Sequence, residues 1–410
     1  MNPADPTGAS EPATGRRRLL VELGAEGDAL QALDDYVAIA YPAVADGGSA
    51  AALPEEPQVP FWRRYVEEAA TIGVGRALAL RFPQLGFPIA AGISECPEYR
   101  RATRLGEADE ARRRPAGIQR DDLLSLRVEE SVAGAVPVLV ARHRPDFVFL
   151  VRALTARNEP EAVPDAMGAC LVKGLVSWDR VAAERRRFEA ALGREATAEE
   201  WNAEMAERIR PKKELWQDRL ILLSDGDYSA LPAAEAGFDA ATWRARSLEI
   251  RTAHECFHYL TLRHHGGIRS HLLDELLADF AGLVAAFGRY DAALALRFLG
   301  LGAGDAAAPA RPGGRWEIYR RSLPDAALPA LARLIEMAAE ALATLPASPL
   351  SPAERARQLL DLAAAGLDGI AARRIGNDAA GAGESSKGAS GDISKRASGD
   401  ISKRPSGATV

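Results

Sequence analysis

Residues 250–267 read IRTAHECFHYLTLRHHGG, and within them His254, Glu255 and His258 form the pattern HExxH. Residues four apart lie on the same face of a helix, so both imidazoles can reach one metal ion. Glu255 can project beside that ion, toward a bound water, and accept its proton. The motif therefore predicts a zinc site with two histidine ligands and a glutamate as general base.

A third ligand is expected because catalytic zinc usually has three protein ligands and one open position. Downstream, residues 274–279 read DELLAD. The Gly266–Gly267 pair lets the chain turn back, so a second helix can lie against the first and bring Glu275 to the metal. Asp279 lies on the same face as Glu275 and can accept a hydrogen bond from the second ring nitrogen of a ligating histidine.

The order HECFH and then ELLAD resembles the gluzincin metallopeptidases, the thermolysin-like branch of the zincins. Their pattern is HExxH followed by a glutamate on the next helix, often within ExxAD. The resemblance covers residues 254–280. It implies that His254, His258 and Glu275 are the zinc ligands. It also implies that Glu255 is the general base and that Asp279 is the hydrogen-bond partner of a ligating histidine.

A rival third ligand is His264, which occupies the position of the third histidine in the metzincin pattern HExxHxxGxxH. Thr261 stands where that pattern needs glycine, and a β-branched residue resists the sharp turn. Met337 lies in a helical pattern, so no convincing Met-turn follows. His265 would share the face of His258 on a continuous helix, but about 10 Å away along the axis. We therefore favour Glu275.

Other polar residues were weighed for the site and given simpler roles. His271 could stand beside Glu275 as an oxyanion donor, but a histidine at a helix start is the simpler interpretation. Tyr228 and Tyr259 could line a cleft, although packed tyrosines are more common. Cys256 is expected to pack in the core.

Hydrophobic periodicity predicts an α+β fold with helices on both sides of a small sheet. The resemblance implies that the middle of the chain is a zincin-like catalytic domain with a small sheet, an active-site helix and a glutamate helix. Helices are expected at 28–39, 61–82, 178–192, 197–209, 239–265, 272–287, 325–345 and 352–367. Strands are expected at 123–128, 136–141, 147–154, 169–172 and 218–224. In such folds an edge strand pairs with an extended peptide, and Asp218–Ser224 is the candidate.

The composition divides the chain into five expected regions. They are a disordered segment 1–20, a mostly helical region 21–115, the zincin-like region 116–300, a helical region 301–375 and a disordered tail 376–410. The tail contains the unit ASGDISKR twice, at 389–396 and 397–404. Two short polar copies are too few for a solenoid, so a flexible tail is expected.

The charge balance and the cysteines exclude several classes of protein. Acidic and basic residues number 57 and 51, so no global positive field favours nucleic acid. Three widely spaced cysteines form neither a disulfide framework nor a cysteine zinc knuckle. The first residues show no signal peptide, and no apolar run is long enough for a membrane span. A cytoplasmic protein without a nucleic-acid or membrane partner is expected.

These observations predict a zinc-dependent hydrolase, most simply a metallopeptidase with a peptide or protein substrate. The alternative is a non-catalytic binding or scaffold protein on a zincin-like fold. Glu255 argues against that alternative, because a binding relic needs no base. Three stretches, at 157–174, 224–232 and 250–263, are also similar to a family of uncharacterised bacterial proteins, a similarity that supplies no substrate.

Overall fold

The computed structural model describes residues 11–43, 53–267, 271–302, 314–320, 323–346 and 349–385. Helices dominate. They are α1 (Glu11–Glu22), α2 (Gly27–Val37), α3 (Val59–Ile72), α4 (Val74–Ala79), α5 (Pro97–Leu105), α6 (Arg144–Thr155), α7 (Trp178–Leu192), α8 (Ala198–Glu204), α9 (Ala233–Ala236), α10 (Ala240–His265), α11 (Leu272–Phe287), α12 (Ala292–Leu299), α13 (Arg315–Tyr319), α14 (Leu328–Ala343) and α15 (Pro352–Ser385).

The strands form one four-stranded sheet in the order β1-β2-β4-β3. They are β1 (Leu124–Ser131), β2 (Gly134–Ala141), β3 (Ala169–Val176) and β4 (Gln217–Leu223). The β1–β2 and β3–β4 pairs are antiparallel, and β2 and β4 run parallel. The predicted α+β class is therefore confirmed.

The sheet has helices on both faces because the residues of its two central strands alternate between two cores. Val138 and Ile221 pack with α10, α11, α14 and α15. Leu139 and Leu222 face the opposite core, with α3 and α6. A strand that is buried on both faces is apolar along its whole length, which explains the run Leu220–Leu223.

The predicted edge position of Asp218–Ser224 is wrong. Its strand, β4, lies between β2 and β3, and the edges of the sheet are β1 and β3. The physical reason is the continuous apolar run, which is typical of an interior strand rather than of an edge. The edge strand that pairs with β4 is β3. It is longer than the predicted strand at 169–172.

The predicted strand at 147–154 is also wrong, because these residues lie in α6. Its β-branched and aromatic composition suggested a strand. Its buried residues Phe147, Leu150, Val151 and Leu154 nevertheless follow helical spacing and cover one face. Asp146 in the first turn fixes the helix start by accepting hydrogen bonds from the backbone N–H groups of residues 119 and 120.

The single helix predicted at 61–82 is divided into α3 and α4 at Gly73, where φ is +88°. A Cβ atom at Gly73 would lie 2.2 Å from the Asp121 carboxylate, so this turn requires glycine. The predicted capping box of Thr197 and Glu200 is confirmed at the start of α8. That helix ends earlier than predicted, and one π-helical turn, Met205–Ile209, follows it.

The chain ends differ in part from the predicted regions. The segment 1–20 was expected to be disordered, but α1 begins at Glu11, and residues 1–10 lie outside the described part of the chain. Of the predicted tail 376–410, α15 includes residues to Ser385, and 386–410 lie outside the described residues. None of the described helices combines the length and apolar character that a membrane span requires.

Candidate metal centre

The two histidines of the motif lie on α10, a helix with well-defined ends. Asp239 is the N-cap, and its carboxylate accepts hydrogen bonds from the backbone N–H groups of residues 241 and 242. Gly266 ends the helix in the left-handed conformation. His254 and His258 point to the same side and are only 6% and 7% exposed. The helical spacing therefore brings both imidazoles to the same buried side of α10.

Glu275 and Asp279 lie on α11, which packs along α10. The helix begins at its N-cap, His271, whose Nδ1 accepts the N–H of Leu273 at 3.1 Å. Glu275 is 4% exposed and Asp279 is fully buried. Because they are four residues apart, both carboxylates face α10.

The ligand atoms of His254, His258 and Glu275 all lie within 4.8 Å of one another. The two Nε2 atoms are 3.1 Å apart. Glu275 Oε2 lies 3.7 Å from His254 Nε2, and Glu275 Oε1 lies 3.5 Å from His258 Nε2. Donor atoms about 2.0–2.1 Å from a tetrahedral zinc are separated by about 3.3–3.4 Å. The three side chains are therefore close enough that they could hold one metal ion.

Without metal, His258 and Glu275 share a proton in a buried ion pair. Burial lowers the pKa of His258, but the hydrogen bond to Glu275 and the charge of that residue outweigh burial and raise the pKa to about 9. Burial raises the pKa of Glu275, whereas His258, His254 and Arg315 together hold it well below its usual value of 4.5. A divalent cation bound here would replace this shared proton.

His254 is oriented by a hydrogen-bond network on its Nδ1 side. Nδ1 lies 3.1 Å from Asp279 Oδ1 and 2.7 Å from the Tyr228 hydroxyl oxygen. The Tyr228 hydroxyl donates to Asp279 Oδ1 at 2.6 Å. A proton on Nδ1 satisfies both acceptors and leaves the Nε2 lone pair directed at the metal position.

The loop that carries Tyr228 is tied to α10. Ser247 Oγ accepts the backbone N–H of Tyr228 at 3.0 Å. Arg251 donates to the carbonyl oxygens of Ser224 and Gly226 at 2.8 and 2.9 Å. Ser229 has a positive φ of 53°, a conformation that is unusual for a non-glycine residue. These contacts hold the tyrosine hydroxyl against His254.

Arg315 completes the network from α13. Its Nη1 donates to Glu275 Oε2 at 2.8 Å, and its Nη2 donates to Asp279 Oδ2. The guanidinium carbon lies 5.4 Å from the centre of the Tyr228 ring. Arg315 thus fixes the carboxylates of Glu275 and Asp279 and balances part of their charge.

The sequence pattern does not indicate Arg315 as a site residue, and it favours a packing role for Tyr228. Arg315 is 36 residues from Asp279, and nothing in its neighbourhood marks it as functional. Tyr228 follows β4 directly in the stretch SDGDY, and a polar residue in a loop after a buried strand was the available signal. Tyr259 differs, because its hydroxyl contacts Glu56 and Gln58.

The two candidate ligand histidines, His254 and His258, differ on their Nδ1 sides. In the described part of the chain, His258 Nδ1 is buried and has no hydrogen-bond partner. His264 is not in the three-residue group, and burial lowers its pKa. His271 acts as a helix cap, and its Nε2 lies 3.0 Å from the Tyr36 carbonyl oxygen.

Glu255 follows His254 on α10, a helix that contacts the edge strand β3. Its side chain is half-buried. Its negative charge contributes to the raised pKa of His258. Burial, with a further contribution from Glu255, raises the pKa of Cys170 on β3 to about 11. The carboxylate is therefore near both a metal-ligand candidate and the edge strand β3.

Comparison with known proteins gives one match. No curated protein and no solved structure matches the chain. One family model, described as a family of unknown function, matches residues 18–373, which include every residue of the candidate centre. The chain therefore belongs to the family of unknown function DUF7005.

Proposed function

We propose that this protein is a zinc-dependent hydrolase, most simply a metallopeptidase, built on a zincin-like arrangement of α10, α11 and the sheet. The observation that carries the proposal is the spacing of His254, His258 and Glu275. Their ligand atoms, one from each residue, all lie within 4.8 Å of one another, and the two Nε2 atoms are 3.1 Å apart. Two imidazoles and one carboxylate leave a fourth tetrahedral position for water or substrate.

A bound zinc would lower the pKa of a coordinated water and polarise a substrate carbonyl. The chain supplies the remaining functions. Glu255 accepts the proton of the attacking water and afterwards donates it to the leaving amine. Asp279 and Tyr228 keep the Nδ1 proton of His254 in place, so that Nε2 stays available as a ligand. Among the described residues Glu255 forms no ion pair, which leaves its carboxylate able to act as a base.

The edge strand β3 supports a peptide substrate. An extended peptide can add to an exposed sheet edge through main-chain hydrogen bonds. β3 is an edge of the sheet, and it contacts α10, the helix that carries Glu255. A peptide paired with β3 would therefore run beside the proposed base, a role that β4 cannot fill because it is interior.

The alternative is a non-catalytic scaffold in which the same residues form a buried ion-pair network without metal. Arg315 favours this alternative, because it contacts Glu275 Oε2 at 2.8 Å and supplies positive charge to the carboxylates. The two proposals differ in zinc content and in catalysis, and both quantities can be measured on one preparation.

The experiment is elemental analysis of the purified chain followed by peptide-library cleavage, scored by mass spectrometry, with and without a chelator. The hydrolase proposal expects about one zinc per chain and cleavage that chelator abolishes and added zinc restores. Folded protein without zinc, after incubation with zinc, would contradict the metal site. Full zinc without cleavage in the library or in native-host lysate would favour the scaffold.

A further inference from the structure

A second concave site lies on the side of α10 and α11 that faces away from the metal ligands. It is a cavity of about 1270 Å³ between β1, α10, α11 and the start of α15. Cys256 and Ala281 line it. They are each two residues beyond His254 and Asp279, which turns a helical side chain by about 200°. The cavity is therefore separate from the candidate metal centre.

The wall of the cavity is mostly apolar and built from small residues. Six alanines contribute, together with Leu248, Val284 and Leu350. Common small-molecule sites have volumes of about 300–1000 Å³ and a mostly apolar lining with a few polar groups. This cavity exceeds that range, so a ligand with an elongated apolar part fits without displacing the helices.

The acidic side chains that line the cavity are already paired with arginines. The pairs, with their N–O distances, are Glu129 with Arg127 at 2.6 Å, Glu130 with Arg63 at 3.2 Å, Asp225 with Arg142 at 3.9 Å and Glu249 with Arg246 at 2.7 Å. These carboxylates therefore have neighbouring positive charge of their own.

Two further arginines line the cavity without a carboxylate partner among the described residues: Arg244 on α10 and Arg355 on α15. Arg355 is half-buried, donates to Gln358 and lies 5.9 Å from the centre of the Phe280 ring. Arg244 is exposed, whereas the half-buried Arg355 loses part of its hydration without gaining a carboxylate counter-ion. The lining carries four arginines and four carboxylates, and Arg244 and Arg355 are the two arginines that lack a described carboxylate partner beside the apolar wall.

We propose that this cavity binds an amphipathic organic anion, a carboxylate on an aliphatic chain. The anionic group pairs with Arg244 and Arg355, since guanidinium–carboxylate bonds are among the strong hydrogen bonds in proteins. The aliphatic chain covers the alanine-rich wall, which accounts for the size of the cavity. The proposal does not depend on the metal centre or on catalysis.

The test is calorimetric titration of the full chain with decanoate, below its micelle concentration. Decyltrimethylammonium, with the same chain length and the opposite charge, is the comparison probe. We expect saturable binding of decanoate and affinity at least about tenfold weaker for the cation. Equal affinity for both probes, or no saturable binding of decanoate, would overturn the proposal.

Variants locate the binding. Arg244→Ala combined with Arg355→Ala should weaken decanoate binding at least about tenfold, whereas Arg186→Ala, which removes an exposed arginine on α7, should leave it unchanged. Ala245→Trp should block the cavity without removing charge. His258→Ala should retain the affinity, since the site lies across α10. Unchanged affinity in the double variant, with the fold intact by circular dichroism, contradicts the assignment.

A vesicle experiment separates a free amphiphile from a membrane surface. Co-flotation with phosphatidylglycerol vesicles is measured for the wild type and for the double arginine variant. The proposal expects decanoate binding without co-flotation. Co-flotation that depends on the two arginines, together with no decanoate binding, would assign the surface to a lipid bilayer and reject the small-ligand site.

Discussion

The two sides of α10 differ in how their polar groups are satisfied. On the ligand side, His254 and His258 are buried and meet Glu275 and Asp279. On the cavity side, small apolar residues line an open space, and Arg244 has no described carboxylate partner. A short sequence motif can therefore predict the functional residues on one side of a helix, while the other side has no recognisable sequence pattern.

The difference predicts where substitutions act strongly. A buried polar network loses the most when one member is removed, because its partners stay buried and unsatisfied. Replacing a side chain on the open wall of the cavity should change the free energy of unfolding little. Four predictions test this contrast, beginning with the largest expected effect.

The first prediction concerns the third ligand. Glu275→Ala should lower zinc affinity by at least about a hundredfold, since loss of a direct ligand exceeds the effect of losing a supporting group. His264→Ala is the control and should keep wild-type affinity, because His264 is outside the ligand group. Competition with a chromophoric chelator measures both. The reverse order would transfer the site to the metzincin-like assignment.

The second prediction separates binding from chemistry. Glu255→Gln should keep zinc bound and the fold intact, yet reduce hydrolysis by at least about a hundredfold, because an amide cannot accept the proton of water. Elemental analysis and cleavage of a library-derived peptide are run on the same sample. Equal cleavage rates for the two proteins would remove Glu255 from the mechanism.

The third prediction compares two buried tyrosines. Tyr228→Phe should weaken zinc binding about tenfold, since its hydroxyl joins His254 to Asp279. Tyr290→Phe is the matched control, because the Tyr290 hydroxyl is buried without a hydrogen-bond partner among the described residues. If both variants bind zinc alike, Tyr228 is only a packing residue.

The fourth prediction addresses the cavity side. Arg244→Ala should leave zinc content unchanged and shift the free energy of unfolding by no more than about 0.5 kcal/mol, as exposed substitutions usually do. Chemical denaturation measures the change. A loss of several kcal/mol would show that Arg244 holds the fold together and that the two sides of α10 do not differ as described.

The sequence predicted those features that depend on local spacing. The HExxH pair, the cap at Asp239 and the carboxylates of Glu275 and Asp279 follow from residues a few turns apart. The features it missed depend on tertiary contacts. Arg315 reaches Glu275 across 40 residues of chain, and no local pattern encodes that distance.

The two incorrect strand predictions have different physical causes. Residues 147–154 combine strand-forming side chains with helical spacing, and burial of one face against the sheet decided the outcome. The apolar run of β4 predicted a buried strand but did not predict which strands pair with it. Strand order is set by pairing across the sheet, as between β2 and β4, which sequence patterns do not report.

The central claim is that His254, His258 and Glu275 hold one zinc ion. A crystal of the wild-type chain grown with zinc, measured on both sides of the zinc absorption edge, tests it directly. The account predicts one strong anomalous peak about 2.0–2.2 Å from the Nε2 atoms of both histidines and from a carboxylate oxygen of Glu275. A peak at His264 and His265 instead, or no peak between α10 and α11, would contradict it.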